Sequence, residues 1–167
     1  MDIKKPDIRR ILFWVLIAVT ALTLFFIFSN SLRGPEESME QSNEVGSLVG
    51  VIFPPDTPLG GFIADNTRKI AHFVEYGILG VEIALLVIFY LQNKLKMAII
   101  SLPAAMCIAV IDETLQYFSG RGPAIVDVWI DLGGFAAFTL LSYAAAYLAA
   151  FIKNRIKRAK GENINNG

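Results

Sequence analysis

The stretch Ile70 to Leu91, IAHFVEYGILGVEIALLVIFYL, decides how the rest of the chain is read. It is 22 residues of apolar sequence interrupted only by His72, Glu75 and Glu82. A membrane-spanning helix needs about 20 mostly apolar residues. Three further stretches meet that length: Ile11–Ser29, free of charge; Met97–Phe118, interrupted by Asp112 and Glu113; and Val128–Ile152, interrupted by Asp131. The composition agrees, with 54% hydrophobic and 18% charged residues against about 25% charged in ordinary soluble domains. The expected fold is all-α, a transmembrane bundle of four helices over about 11–29, 70–91, 97–118 and 128–152, forming one domain over 1–167.

Several function classes drop out at once. A formal net charge of +0 gives no positive excess to offset phosphate, so nucleic acid is not an expected partner. A single cysteine excludes a disulfide scaffold, and Cys107, inside the third span, is expected to be a small packed apolar residue. The first span is too long for a signal-peptide core, and FFIFSNS offers no small-x-small cleavage site, so it reads as a retained helix.

Loop charge sets the expected orientation. Lys4, Lys5, Arg9, Arg10, Lys94, Lys96, Lys153, Arg155, Lys157, Arg158 and Lys160 place 11 basic residues on one side, against four (Arg33, Arg68, Lys69 and Arg121) on the other. The positive-inside rule then puts both termini in the cytoplasm of a multi-pass cell-membrane protein. The outer loop from about Asn30 to Lys69 is long. Within it Pro35, an acidic first turn, and Val45, Leu48, Val49 and Ile52 at helical spacing predict a short helix ending at Pro54 and Pro55. That helix either lies on the outer membrane surface or caps the bundle.

The ionisable residues within the spans converge. At a rise of roughly 1.5 Å per residue, His72 and Glu75, Asp112, Glu113 and Gln116, and Asp131 all fall within the outer turns of their helices. Lys69, His72 and Tyr76 share a stripe, as do Asp112 with Gln116 and Asp127 with Asp131. Charged groups inside a span are costly and are functional candidates by default. Glu82, on the same stripe but near mid-bilayer, reads as a polar contact to a neighbouring helix. In the turn SGRGP, Arg121 sits between two glycines, free either to pair with Asp127 or Asp112 or to grip an anionic ligand. Gly133 and Gly134 permit close approach of another helix, and Pro103 is expected to kink the third span.

FSNS at 28–31, KIAHFVEYGILG at 69–80 and DETLQYFSGRGPAIVDVWIDLGG at 112–134 resemble the VanZ-like family over nearly the whole chain. The matching positions are Lys69, His72, Glu75, Tyr76, Asp112, Glu113, Gln116, Phe118, Arg121, Asp127, Asp131 and Gly134; Asp131 departs from the asparagine the family often carries. The resemblance implies a small bacterial membrane protein, with a founding member associated with teicoplanin-type glycopeptide resistance. It implies no mechanism. One reading is a membrane enzyme acting on an envelope lipid or lipid-linked precursor. His72 is its acid-base group, with Glu75 and with Glu113 or Asp112 as its carboxylate partners. Lys69, Arg121, Tyr76, Gln116, Asp127 and Asp131 would then hold the substrate. Another is a non-catalytic protein shielding a lipid or lipoglycopeptide tail. A third, a proton-coupled transport accessory, fits poorly with polar groups at one end only, unless the chain is a homodimer. A metal bound by His72 with two carboxylates is chemically possible, but no HExxH-type spacing supports it, and no cofactor is expected. The partners left open are membrane lipids, a lipid-linked precursor, a glycopeptide antibiotic and a second copy of the chain.

Single cysteines at Asn43, Gly120 and Asn165, introduced after Cys107→Ser, are expected to divide by side. An impermeant thiol reagent applied to whole cells labels positions 43 and 120 and leaves 165 untouched. Labelling at 165, or none at 120, reverses the orientation.

Overall fold

The computed structural model describes residues 7–91 and 94–159, so Lys4, Lys5, Lys160 and Asn165 lie outside the described residues. Six helices follow in order: α1 (Ile8–Ser31), α2 (Pro35–Ile52), α3 (Pro58–Asp65), α4 (Thr67–Tyr90), α5 (Lys94–Phe118) and α6 (Ile125–Ala159). Four of them, α1, α4, most of α5 and α6, are long and apolar enough to cross a membrane. Each expected span is therefore present, begun about three residues earlier, and α6 also ends seven residues later than expected. α6 runs on through the basic tail, where Lys157 and Arg158 oppose the negative end of its dipole.

The distribution of side chains is inverted relative to a soluble bundle. Phe25, at 72% exposure, and Leu140, at 68%, face outward, while Asp131 and Gln116 are both at 0%. Apolar surroundings make that arrangement stable and water would not. The apolar core proper is small, built from Ile27, Tyr76, Leu79, Ala105, Ala109 and Phe135. Cys107 is exposed, not packed. Ala105 and Ala109 take the inward face of α5, and position 107 falls on the far side of the same turn. α5 continues unbroken through Pro103.

α4 is the central helix and packs against α1, α5 and α6, most extensively α6. Two glycines make that contact possible. A Cβ on Gly80 would collide with the Phe135 carbonyl, and one on Gly134 with the Phe73 carbonyl. Gly133 is different: a Cβ there would meet only the Phe73 ring, in ordinary contact at 3.9 Å. Thr139 Oγ1 donates to the Gly80 carbonyl at 3.2 Å and closes the seam. At mid-span, Thr23 Oγ1 of α1 donates to Glu82 Oε1 at 2.7 Å, the interhelical contact expected for that carboxylate.

The long loop holds two helices where one was expected. α2 ends at Ile52 before the proline pair. α3 then starts with Pro58 in its first turn and Thr57 as N-cap, whose hydroxyl accepts from the Gly60 N–H at 3.0 Å. α2 packs on α4 and α3 and so covers one end of the bundle.

Gly134→Ala should destabilise the full-length chain in micelles by about 1–3 kcal/mol, the usual cost of overpacking, read by denaturant unfolding. Gly133→Ala should fall within about 0.5 kcal/mol of the parent. Equal effects at the two positions would contradict the close α4–α6 contact.

Candidate functional site

The polar groups gather at the end of the bundle covered by α2. Each comes from the last or first turns of a helix. His72 is five residues into α4, Asp131 six into α6, and Asp112 six from the end of α5, which is about 7–9 Å of helix in each case. α4 and α6 start at this end and α5 finishes there, which brings the three to one level.

His72 Nδ1 lies 3.2 Å from Asp131 Oδ1 and 3.8 Å from Asp112 Oδ2. All three residues are buried. Asp112 is held from two sides: Ser31 Oγ donates to its Oδ1 in a short hydrogen bond, and Gln116 Nε2 donates to its Oδ2 at 3.3 Å. Gln116 in turn accepts from Arg68 Nη2 in another short bond. Arg68 Nη2 also stands 3.9 Å from Asp127 Oδ2, so the carboxylate at the start of α6 has Arg68 as its ion-pair partner.

Arg121 follows Gly120, whose φ of +81° gives the turn a conformation natural only to glycine. Its Nη1 donates to the Asn30 carbonyl at 3.1 Å, and its own N–H donates to the Gln116 carbonyl at 3.0 Å. Among the described residues no ion pair joins it to Asp127 or Asp112; it spans to α1 instead. Burial, and then the neighbouring Arg68 charge, push the Arg121 guanidinium below its ordinary value, and it remains a cation near neutral pH.

A cleft of about 190 Å³ opens beside these groups. Arg68, Arg121, His72 and Glu75 line it, with Asn30 and Ser31 from α1 and Ser38, Gln41 and Ser42 from α2. Glu75 Oε1 accepts from Asn30 Nδ2 at 3.1 Å. Glu113 points elsewhere. Its Oε2 accepts from the Ala124 N–H at 2.8 Å, at the start of α6, where a carboxylate suits the positive end of a helix dipole. It lines a separate, largely apolar groove of about 520 Å³ with Met106, Val110, Tyr117, Phe118, Val128 and Trp129.

Of the ten expected site residues, His72, Asp112 and Asp131 therefore meet directly. Gln116, Glu75, Arg121 and Asp127 flank them, Tyr76 is buried one turn along α4 from His72, and Glu113 lies on the other flank. Lys69 is exposed and does not line the cleft; Arg68 does. Asn30 and Ser31 were missed as site residues, although a run of small polar side chains ending an apolar span was their visible signal.

A family model described as VanZ/LLP1 matches residues 13–148. That range holds every residue of the cluster and most of all four long helices. Comparisons with curated proteins and with solved structures found no match. With a match running over most of its length, the chain belongs to the VanZ/LLP1 family.

Proposed function

We propose that this VanZ/LLP1-family protein lies in the cell membrane with both termini in the cytoplasm and its polar cleft at the outer leaflet. There it binds, and acts on, the anionic head group of an envelope lipid or lipid-linked precursor. The observation that carries this reading is the pair of guanidinium groups, Arg68 and Arg121, on one small cleft that also exposes His72 and Glu75. Planar guanidinium groups match phosphate and carboxylate oxygens. The small cleft of about 190 Å³, lined by these arginines and by small polar side chains, suits a polar head group. Behind it His72, hydrogen-bonded to Asp131 with the Asp112 carboxylate 3.8 Å away, is the group suited to chemistry on whatever the arginines hold.

A second reading, shelter of a lipid or lipoglycopeptide tail without chemistry, is favoured by the apolar groove between α5 and α6. Burial of a tail there would draw on apolar area alone.

Glycopeptide susceptibility of cells expressing the protein, the trait associated with the family's founding member, separates the two. His72→Gln and Asp112→Asn should abolish protection, and Arg121→Lys, which keeps the charge but loses the fork, should strongly impair it. Asp131→Asn should be milder, since the family often carries the amide. Protection that survives in both His72→Gln and Arg121→Lys, at normal protein levels, rejects the head-group reading and leaves the sheltering one.

A further inference from the structure

We propose that His72, Asp112 and Asp131 form a binding site for a divalent metal ion of the zinc, cobalt or manganese type. The inference goes beyond head-group binding and does not depend on it.

The distances come first. One ligand atom from each residue lies within 4.8 Å of the other two. The imidazole Nδ1 is 3.2 Å from one carboxylate and 3.8 Å from the other. An ion bonded tetrahedrally at about 2.0–2.1 Å holds its ligand atoms roughly 3.3–3.4 Å apart. The two observed edges bracket that value, so small side-chain rotations complete the set.

Charge is the second argument. With the imidazole neutral, the three groups carry two negative charges, all buried, inside a bundle whose outer surface is apolar. Uncompensated buried charge is strongly disfavoured. A divalent cation cancels it without a proton on any of the three.

Unpartnered polar atoms point the same way. Asp131 is wholly buried, yet its Oδ2 has no hydrogen-bond partner. The Tyr76 hydroxyl, also wholly buried and one turn along α4 from His72, has none either. A bound ion would give the Asp131 oxygen the partner it lacks. The surroundings are those of a supported ligand set: Ser31 and Gln116 fix the Asp112 carboxylate, as outer groups do around metal ligands. His72 also lines the cleft, which gives the ion a path. One imidazole and two carboxylates, with no thiolate, select a borderline or hard ion over Cu(I). No local motif announces the site, because each ligand comes from a different helix.

The test uses the untagged full-length chain in micelles, stripped with chelator and titrated with Co²⁺. The expected result is one Co²⁺ per chain, with visible d–d absorption, no thiolate charge-transfer band, and displacement by Zn²⁺. His72→Gln and Asp112→Ala should lose the signal, and Asp131→Asn should weaken it. Ser31→Ala should weaken binding about 10-fold. No d–d absorption in the parent at millimolar Co²⁺, or bands that persist in His72→Gln, would overturn the site. The parent spectrum is decisive even where a variant fails to fold. Lipid retained by the same preparation, read by mass spectrometry, judges head-group binding separately.

Discussion

The close backbone contact between α4 and α6 governs the rest of this molecule. Gly134 rests against the carbonyl of Phe73, the residue next to His72. Asp131 lies nearly one turn before Gly134 on α6, so the contact delivers its carboxylate to the imidazole. Any side chain at Gly134 would separate the helices and, with them, the two groups that meet at 3.2 Å. The second contact, at Gly80 against Phe135, fixes the same seam further along α4. Apolar packing and polar chemistry thus rest on the same pair of glycines.

Around that seam the other elements act as supports. α1 ends in Asn30 and Ser31, which hold Glu75, Asp112 and, through a carbonyl, Arg121. The Gly120 turn brings Arg121 back over the bundle. Glu113 secures the first turn of α6, and Arg68 ties Gln116 of α5 to Asp127 of α6. The buried charged groups at this end each have a partner on another element. That is the condition for keeping such groups away from water.

The four spans were legible because span length is set by the bilayer, and the convergence of ionisable groups followed from helix rise alone. What the sequence left undecided lies in rotation about each axis. Arg68 and Lys69 both fall within a turn of His72, and only the packing of α4 on its neighbours selects Arg68. Asp112 and Glu113 are adjacent, about 100° apart on the helix, so one faces His72 and the other the start of α6. Cys107 was misplaced for the same reason. The extra helix α3 carried a recognisable start in Thr57-Pro58, but Gly60 and Gly61 made the segment look like a loop.

The hydrogen bond from Thr23 to Glu82 bears on biogenesis. α1 is the least attached of the long helices, with only Ile27 and Ser31 buried along it. It is apolar enough to enter a bilayer alone, well before α4 is synthesised. Glu82, by contrast, reaches mid-bilayer with no partner of its own until Thr23 is beside it. In the folded bundle this hydrogen bond fixes the height of α1 against α4. A helix captured a turn too high or too low would leave Asn30 and Ser31 out of reach of Glu75 and Asp112. The height of α1 and the closure of the site are in this way coupled through a residue that lies far from the chemistry.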